Sequence, residues 1–130
     1  MKKNMIEKDL SGCEKLIMKI LWDSKEDIST PEMIGLLKER YGKDYARTTV
    51  VTFVQRLMEK GYVSTYRKGN VSYIHALQEE QQYTDHFLKS IKDFWFKGDC
   101  SNLLSALCRS DKLTKDEIER MRKLMDEMDD

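Results

Sequence analysis

The middle of the sequence contains its most restrictive pattern, a helix signal followed directly by a hairpin signal. Apolar residues recur at helical spacing over residues 47–60, and Gly61 is the residue type that ends helices in the left-handed conformation. Two runs rich in β-forming residues follow, 62–67 and 71–76. Residues 68–70, Lys-Gly-Asn, suit the tight turn of a hairpin between them. The apolar side of this helix needs a core, so further elements must pack on it.

Two helix signals precede this segment. Ser11 and Glu14 have the spacing of a capping box, and apolar residues follow them at helical spacing. A second helix begins near residue 30, where either Ser29 caps it or Thr30 does, with proline in the first turn. Ile28, just before it, favours one short strand. Three helices followed by a hairpin predict a winged helix-turn-helix, in which the third helix reads DNA and the hairpin is the wing.

One face of the third helix carries small, uncharged side chains, although helix faces turned to water usually carry Lys and Glu. Its members, Thr48, Val51, Thr52 and Gln55, stand at positions i, i+3, i+4 and i+7 and therefore share one side. Methyl groups of threonine and valine contact thymine methyls, and glutamine pairs with adenine in the major groove. We therefore predict that this face reads DNA bases. A packed interface with another part of the protein is the alternative.

The charge distribution supports a DNA partner, although the net charge is zero. Residues 1–77 hold 14 Lys and Arg against 10 Asp and Glu, whereas residues 78–130 hold 9 against 13. A local basic patch is a better indication of nucleic-acid binding than the total charge. The predicted contacts to the DNA backbone are Lys43, Arg47, Arg56, Arg67 and Lys68. A protein-interaction module that binds an acidic partner without specific DNA binding is the alternative function.

The second half of the sequence reads as three short helices with long apolar stripes. Helices of this size cannot bury such stripes alone, so a partner surface is required. We predict a winged-helix domain over residues 1–77 and a helical dimerisation domain over residues 78–130. Packing of the stripes on the N-terminal domain is the alternative. The predicted dimer interface consists of Phe87, Ile91, Phe94, Trp95, Leu103, Leu104, Leu107, Ile118, Met121, Leu124 and Met125.

The remaining features favour a cytoplasmic protein that is not an enzyme. No apolar run approaches the ~20 residues of a membrane span, and the N-terminal segment lacks a signal-peptide core. The sequence contains no phosphate-binding loop, zinc-protease motif or nucleophile elbow. Three cysteines without close pairs predict neither disulfides nor a metal site, and we expect Cys13 and Cys108 in apolar packing. We expect no cofactor.

Four stretches resemble the penicillinase-repressor (BlaI/MecI/CopY) family of transcriptional regulators. They are LSGCEKLIMKILW, ISTPEMIGLLKE, TTVVTFVQRLMEKGYV and LTKDEIERMRKLM, in family order over about residues 8 to 126. The third stretch is similar to the family's recognition segment. The resemblance implies a mainly α-helical protein with a small β-hairpin wing that represses transcription by binding a palindromic operator as a homodimer. It places Thr48, Val51, Thr52 and Gln55 at the family's groove-facing positions.

The sequence departs from two branches of that family. Members that respond to antibiotics are inactivated by proteolysis at an Asn-Phe bond, and the corresponding residues here are Ala106 and Leu107. The sequence therefore leaves open whether a sensor protease or an inducer releases the protein from DNA. The copper-responsive branch carries a C-terminal cluster of paired cysteines, which this sequence lacks.

Overall fold

The computed structural model describes residues 9–129. Residues 1–8 lie outside the described residues, and they make up most of the N-terminal segment in which we expect no signal peptide. The chain forms two compact units, one ending at Phe87 and the other beginning at Leu88. The elements are α1 Gly12–Ser24, β1 Ile28–Ser29, α2 Thr30–Tyr41, α3 Arg47–Glu59, β2 Val63–Lys68, β3 Val71–Ala76, α4 Glu80–Trp95, α5 Cys100–Ser110 and α6 Lys115–Met128.

The helix ends follow from local side-chain chemistry. The Ser11 hydroxyl accepts from the amide of Glu14, and the Glu14 carboxylate accepts from the amide of Ser11, so both halves of the capping box are present. Of the two candidate caps for α2, Ser29 is the one used, and its hydroxyl accepts from the Glu32 amide at 3.2 Å. Gly61, with a φ of 84°, lies in the left-handed region after α3.

The predicted hairpin and the predicted short strand form one antiparallel sheet in the order β1-β3-β2. Strand β1 pairs with β3 through Ile28 opposite Ile74, so the segment before α2 is fixed to the wing. Strands β2 and β3 are joined by a two-residue turn in which Gly69 has a φ of 66°. The sheet therefore closes one side of the helical core, and the hairpin extends beyond it.

The apolar sides of α1, α2 and α3 meet the sheet in one core. This core consists of Leu10, Ile17, Met18, Ile20, Leu21, Ile28, Met33, Leu37, Val50, Val54, Leu57, Tyr62, Val63, Ile74 and Tyr83. Burial of the Tyr62 phenol raises its pKa to about 12, because the charged form is disfavoured away from water. Met58, which the helical pattern places on the same side, is 41% exposed, because it lies at the edge of α3 beside β2.

The first turns of α4 pack on this core. The Trp22 indole N–H donates to the carbonyl oxygen of Gln78 at 2.8 Å. The Tyr83 ring lies 5.9 Å from the ring of Trp22 and 6.0 Å from that of Tyr62. These contacts explain why the first unit continues to Phe87, ten residues beyond the predicted boundary at residue 77.

The second unit contains the rest of α4 together with α5 and α6. Asp99 caps α5, and Thr114 and Glu117 form a capping box at the start of α6. Between Leu88 and Asp129, no side chain is fully buried. The expectation of apolar packing is wrong for Cys108 in the single chain, where it is exposed. Among the described residues, no helix has the length and apolar character that crossing a membrane requires.

Candidate nucleic-acid interface

Helix α3 has one buried side and one exposed side. Val50, Val54 and Leu57 are buried in the core. The side opposite carries all four predicted base-reading residues, and each of them is exposed: Thr48, Val51, Thr52 and Gln55. Among residues 9–87 no other element covers this side, so the packed-interface alternative finds no support in the described part of the first unit.

The beginning of α3 differs from those of α1 and α2. Its N-cap residue is Ala46, whose side chain makes no capping hydrogen bond, and its first turn contains no acidic residue. Helices α1 and α2 each have a serine cap and a glutamate in the first turn. The N-terminus of α3 therefore keeps the partial positive charge of the helix dipole, with Arg47 beside it. Such a terminus is suited to binding an anion.

The segment leading into α3 is held by Tyr45. The Tyr45 hydroxyl and the Cys13 sulfur are hydrogen-bonded at 2.9 Å. The ring of Tyr45 also packs edge-on against Phe53, with ring centroids 5.4 Å apart. Cys13 is partly buried, and this contact is a polar one, whereas the sequence predicts apolar packing for it. These contacts join the start of α3 to α1.

The five predicted backbone-contacting residues are all exposed: Lys43, Arg47, Arg56, Arg67 and Lys68. The other two basic residues between positions 40 and 75 are engaged in ion pairs. Arg40 pairs with Asp23 at 2.7 Å, and Lys60 pairs with Glu14 at 2.6 Å. Arg67 additionally donates to the carbonyl oxygen of Asn70 at 3.1 Å, which links it to the wing turn. The basic side chains left for a partner thus surround α3 and the tip of the wing.

A polar cluster that sequence reasoning missed holds the base of the wing. The Tyr66 hydroxyl donates to one oxygen of Asp27 at 2.6 Å, and Nδ1 of His75 lies 2.8 Å from the other. The hydrogen bond from Tyr66 makes the largest contribution to lowering the pKa of Asp27, and the hydrogen bond from His75 lowers it further. The cluster joins the loop before β1 to both wing strands. Its residues are 39 and 48 positions apart, so no local pattern marks it.

The predicted interface residues of the second unit are apolar side chains that are exposed or half-buried in the single chain. Phe94 and Trp95 are 77% and 70% exposed, and their rings contact each other edge-on. The others are exposed or half-buried: Ile91, Leu103, Leu104, Leu107, Ile118, Met121, Leu124 and Met125. Phe87 lies in the first unit, where its ring stacks on Tyr83, and its place in a dimer interface stays a prediction.

Comparison with known proteins identifies the family. The sequence profile of the penicillinase repressor family matches residues 10–127. The chain belongs to the penicillinase repressor family. It is 25% identical over 117 residues to the methicillin resistance regulatory protein MecI of Staphylococcus aureus (strain N315), covering 90% of this chain and 93% of that protein. It is 23% identical over 118 residues to the penicillinase repressor of Bacillus licheniformis, covering 91% and 90%.

A solved structure shares the fold of this family member. The complex structure of hsRosR-S4 covers 95% of this chain and 91% of its own, with a TM-score of 0.57 and 16% sequence identity. This match and the observed elements agree on a mainly helical protein with an N-terminal winged helix-turn-helix, as the sequence predicts. Ala106 and Leu107, which the family resemblance aligns with a cleavage bond, lie within α5. Across residues 9–129, no group of three or more His, Cys, Asp or Glu side chains is placed to hold a metal ion.

Proposed function

We propose that this protein is a transcriptional repressor that binds operator DNA with α3 in the major groove. The observation that carries the proposal is the exposed, uncharged side of α3 between exposed basic residues. An acidic side would be repelled by the DNA phosphates, whereas a short polar and methyl-rich side can approach the base edges. The names of its relatives, a penicillinase repressor and a resistance regulator, support the same function.

The residues of this surface have distinct roles in the proposed complex. Thr48, Val51 and Thr52 contact bases, chiefly through methyl groups, and Gln55 pairs with adenine. The backbone-contacting group of lysines and arginines neutralises phosphates and sets the register on the duplex. The uncapped start of α3 places backbone N–H groups at a phosphate, because a helix N-terminus favours an anion.

The second unit makes the protein a homodimer in this proposal. Aromatic side chains such as Phe94 and Trp95 bury large apolar areas when they find a partner, and both are mostly exposed in the single chain. A second copy supplies the same surface through a two-fold interface. Two reading heads related by a two-fold axis then bind an inverted repeat, whose half-sites are about one helical turn, 10–10.5 base pairs, apart.

The residues that the family resemblance aligns with the cleavage bond of antibiotic-responsive members bear on how the repressor is released. They are Ala106 and Leu107, within α5, in place of an Asn-Phe pair. The missing Asn-Phe pair favours release by an inducing ligand or another partner over cleavage at this bond.

Selection from random DNA tests the proposed function without knowledge of the operator. The full-length protein is incubated with duplexes carrying about 30 random base pairs, and bound sequences are enriched and read. Fluorescence anisotropy then compares the enriched duplex with a scrambled one at two salt concentrations. We expect an inverted repeat bound about 10³-fold tighter than the scrambled duplex, with affinity falling as salt rises. No enrichment, with equal weak binding to all duplexes, would contradict a specific repressor.

A further inference from the structure

A buried carboxylate joins the beginning of α1 to the end of α3. Glu14 is 1% exposed, and its Oε1 accepts from the Lys60 ammonium at 2.6 Å and from the Ser11 amide at 2.9 Å. Lys60 caps the C-terminal end of α3 and also donates to the carbonyl oxygen of Asp9 at 2.7 Å. One side chain at the end of the proposed reading helix is thus fixed to two points at the start of α1.

The ion pair is maintained at neutral pH. Burial raises the pKa of Glu14, but the hydrogen bonds from Lys60 and Ser11 outweigh burial and lower it below its ordinary value. A buried ion pair adds little net stability compared with apolar packing, because desolvation of the charges offsets their attraction. What the pair supplies is a defined geometry, since the lysine must stay where the carboxylate is.

We propose that Glu14 and Lys60 are a positioning pair that sets the angle at which α3 enters DNA. The inference rests on the proposed function. Neither residue belongs to the exposed side of α3, so neither is assigned a contact with bases. Lys60 lies 12 residues from Thr48, about 18 Å along the helix. A tilt of about 5° about the Lys60 end moves the far end by roughly 1.5 Å, enough to break hydrogen-bond geometry at a base edge.

A positioning role and a purely structural role predict different measurements. If the pair only stabilised the fold, a folded variant would bind every duplex as the wild type does. If the pair positions α3, the loss falls on the matched duplex, because phosphate contacts tolerate a tilt that base contacts do not. The ratio of the two affinities also cancels the general effect of removing a charge near the DNA.

The test uses the full-length protein, the duplex that the wild type enriches from a random pool, and a scrambled duplex at the same salt concentration. The variants are Glu14→Gln, Lys60→Met and Lys60→Arg. Asp23→Asn is the matched control, because it removes the ion pairs of Asp23 with Arg40 and Lys19, which lie on α2 and α1 and not on α3. Circular dichroism and the unfolding midpoint establish that each variant is folded at the assay temperature. If Glu14→Gln fails to fold, Lys60→Met tests the same contact from the partly exposed partner.

We expect Glu14→Gln and Lys60→Met to lower the preference for the matched duplex about tenfold, the value of roughly one base contact. The affinity of these two variants for the scrambled duplex should change less than about threefold. Lys60→Arg should recover most of the preference for the matched duplex, and Asp23→Asn should retain that preference. A preference within twofold of the wild type in folded Glu14→Gln or Lys60→Met would overturn the positioning role. A wild-type protein without any preference would instead contradict the proposed function itself, which distinguishes the two failures.

Discussion

The hydroxyl of Thr52 donates to the carbonyl oxygen of Thr48 at 2.9 Å, one turn earlier on the exposed side of α3. This contact commits the hydroxyl proton of Thr52 to its own helix. What Thr52 presents to a partner is therefore its methyl group and the lone pairs of its oxygen. In a major groove, the methyl group is the part that recognises thymine.

Two substitutions at Thr52 separate these contributions. Thr52→Val keeps a methyl group and removes the hydroxyl, so we expect operator affinity to stay within about twofold of the wild type. Thr52→Ser keeps the hydroxyl and removes the methyl group, which contributes about 0.8 kcal/mol when buried, so affinity should fall about fourfold. Anisotropy titrations with the enriched duplex measure both. The reverse order, with valine the weaker binder, would assign recognition to the hydroxyl.

The exposed aromatic pair of α4 predicts the oligomeric state. We expect the wild type to sediment at twice the chain mass of 15.4 kDa and Trp95→Glu to sediment as a monomer, because a buried unpaired charge disfavours the interface. Trp95→Glu should bind the enriched duplex at least tenfold more weakly than the wild type, because each half-site is then bound by a separate winged-helix domain.

Leu77→Glu is the matched control for this prediction. Leu77 is 54% exposed, comparable to several residues of the predicted interface, but it belongs to the first unit. Leu77→Glu should leave the sedimenting mass of the dimer unchanged. A dimer that survives Trp95→Glu and dissociates in Leu77→Glu would place the interface on the winged-helix unit instead.

Two glycines with equally open surroundings should respond in opposite directions to alanine. A Cβ at either Gly35 or Gly69 meets no atom within 4 Å, but Gly69 has a φ of 66° whereas Gly35 lies inside α2. Gly35→Ala should raise the free energy of unfolding by about 0.5–1 kcal/mol, because alanine favours the helix and glycine does not. Gly69→Ala should lower it by about 1–2 kcal/mol, because alanine is strained in the left-handed region. Urea unfolding midpoints at constant slope measure both.

The buried carboxylate of Glu14 predicts a specific dependence of stability on pH. Its pKa is lower in the folded protein than its ordinary value of 4.5, so the stabilisation is present above pH 4.5 and is lost as pH falls through the folded pKa. At pH 7, Glu14→Gln should lower the free energy of unfolding by about 1–3 kcal/mol, because hydrogen bonds to a charged acceptor are stronger than those to the neutral amide that replaces it.

The comparison across pH checks the origin of that effect. The gap in unfolding free energy between the wild type and Glu14→Gln should shrink as pH falls from 5 toward 3, roughly the range around the ordinary pKa. Glu39→Gln, at an exposed position of α2, should show no gap at either pH. A gap for Glu14→Gln that is the same at pH 7 and pH 3 would mean that packing, and not ionisation, is the cause.

Local chemistry made much of the fold predictable. The capping box at Ser11, the glycine after α3 and the hairpin turn at Gly69 each depend on residues within a few positions of one another, and the sequence shows them directly. The exposed side of α3 was predictable for the same reason, because helical spacing alone separates Gln55 from Leu57.

Contacts between distant residues were not predictable. Glu14 reads as half of a capping box, and nothing near it indicates that Lys60, 46 residues later, enters the same site. Asp27 likewise reads as a turn residue, although it receives the hydroxyl of Tyr66. The packing of Tyr83 against Trp22 was not predictable either, because it depends on tertiary contacts. The apolar stripe of its helix continues without interruption toward Trp95, so the sequence does not mark where that packing ends.

The most direct test of the account compares Gln55→Ala with Lys68→Ala on the enriched and scrambled duplexes. Both side chains are exposed, but one is assigned to bases and the other to phosphate. We predict that Gln55→Ala weakens binding to the enriched duplex by about 1–3 kcal/mol and leaves the scrambled duplex unchanged. Lys68→Ala should weaken binding to both about equally and reduce the salt slope by about one. Equal weakening of both duplexes by Gln55→Ala would contradict the claim that the uncharged side of α3 reads the DNA sequence.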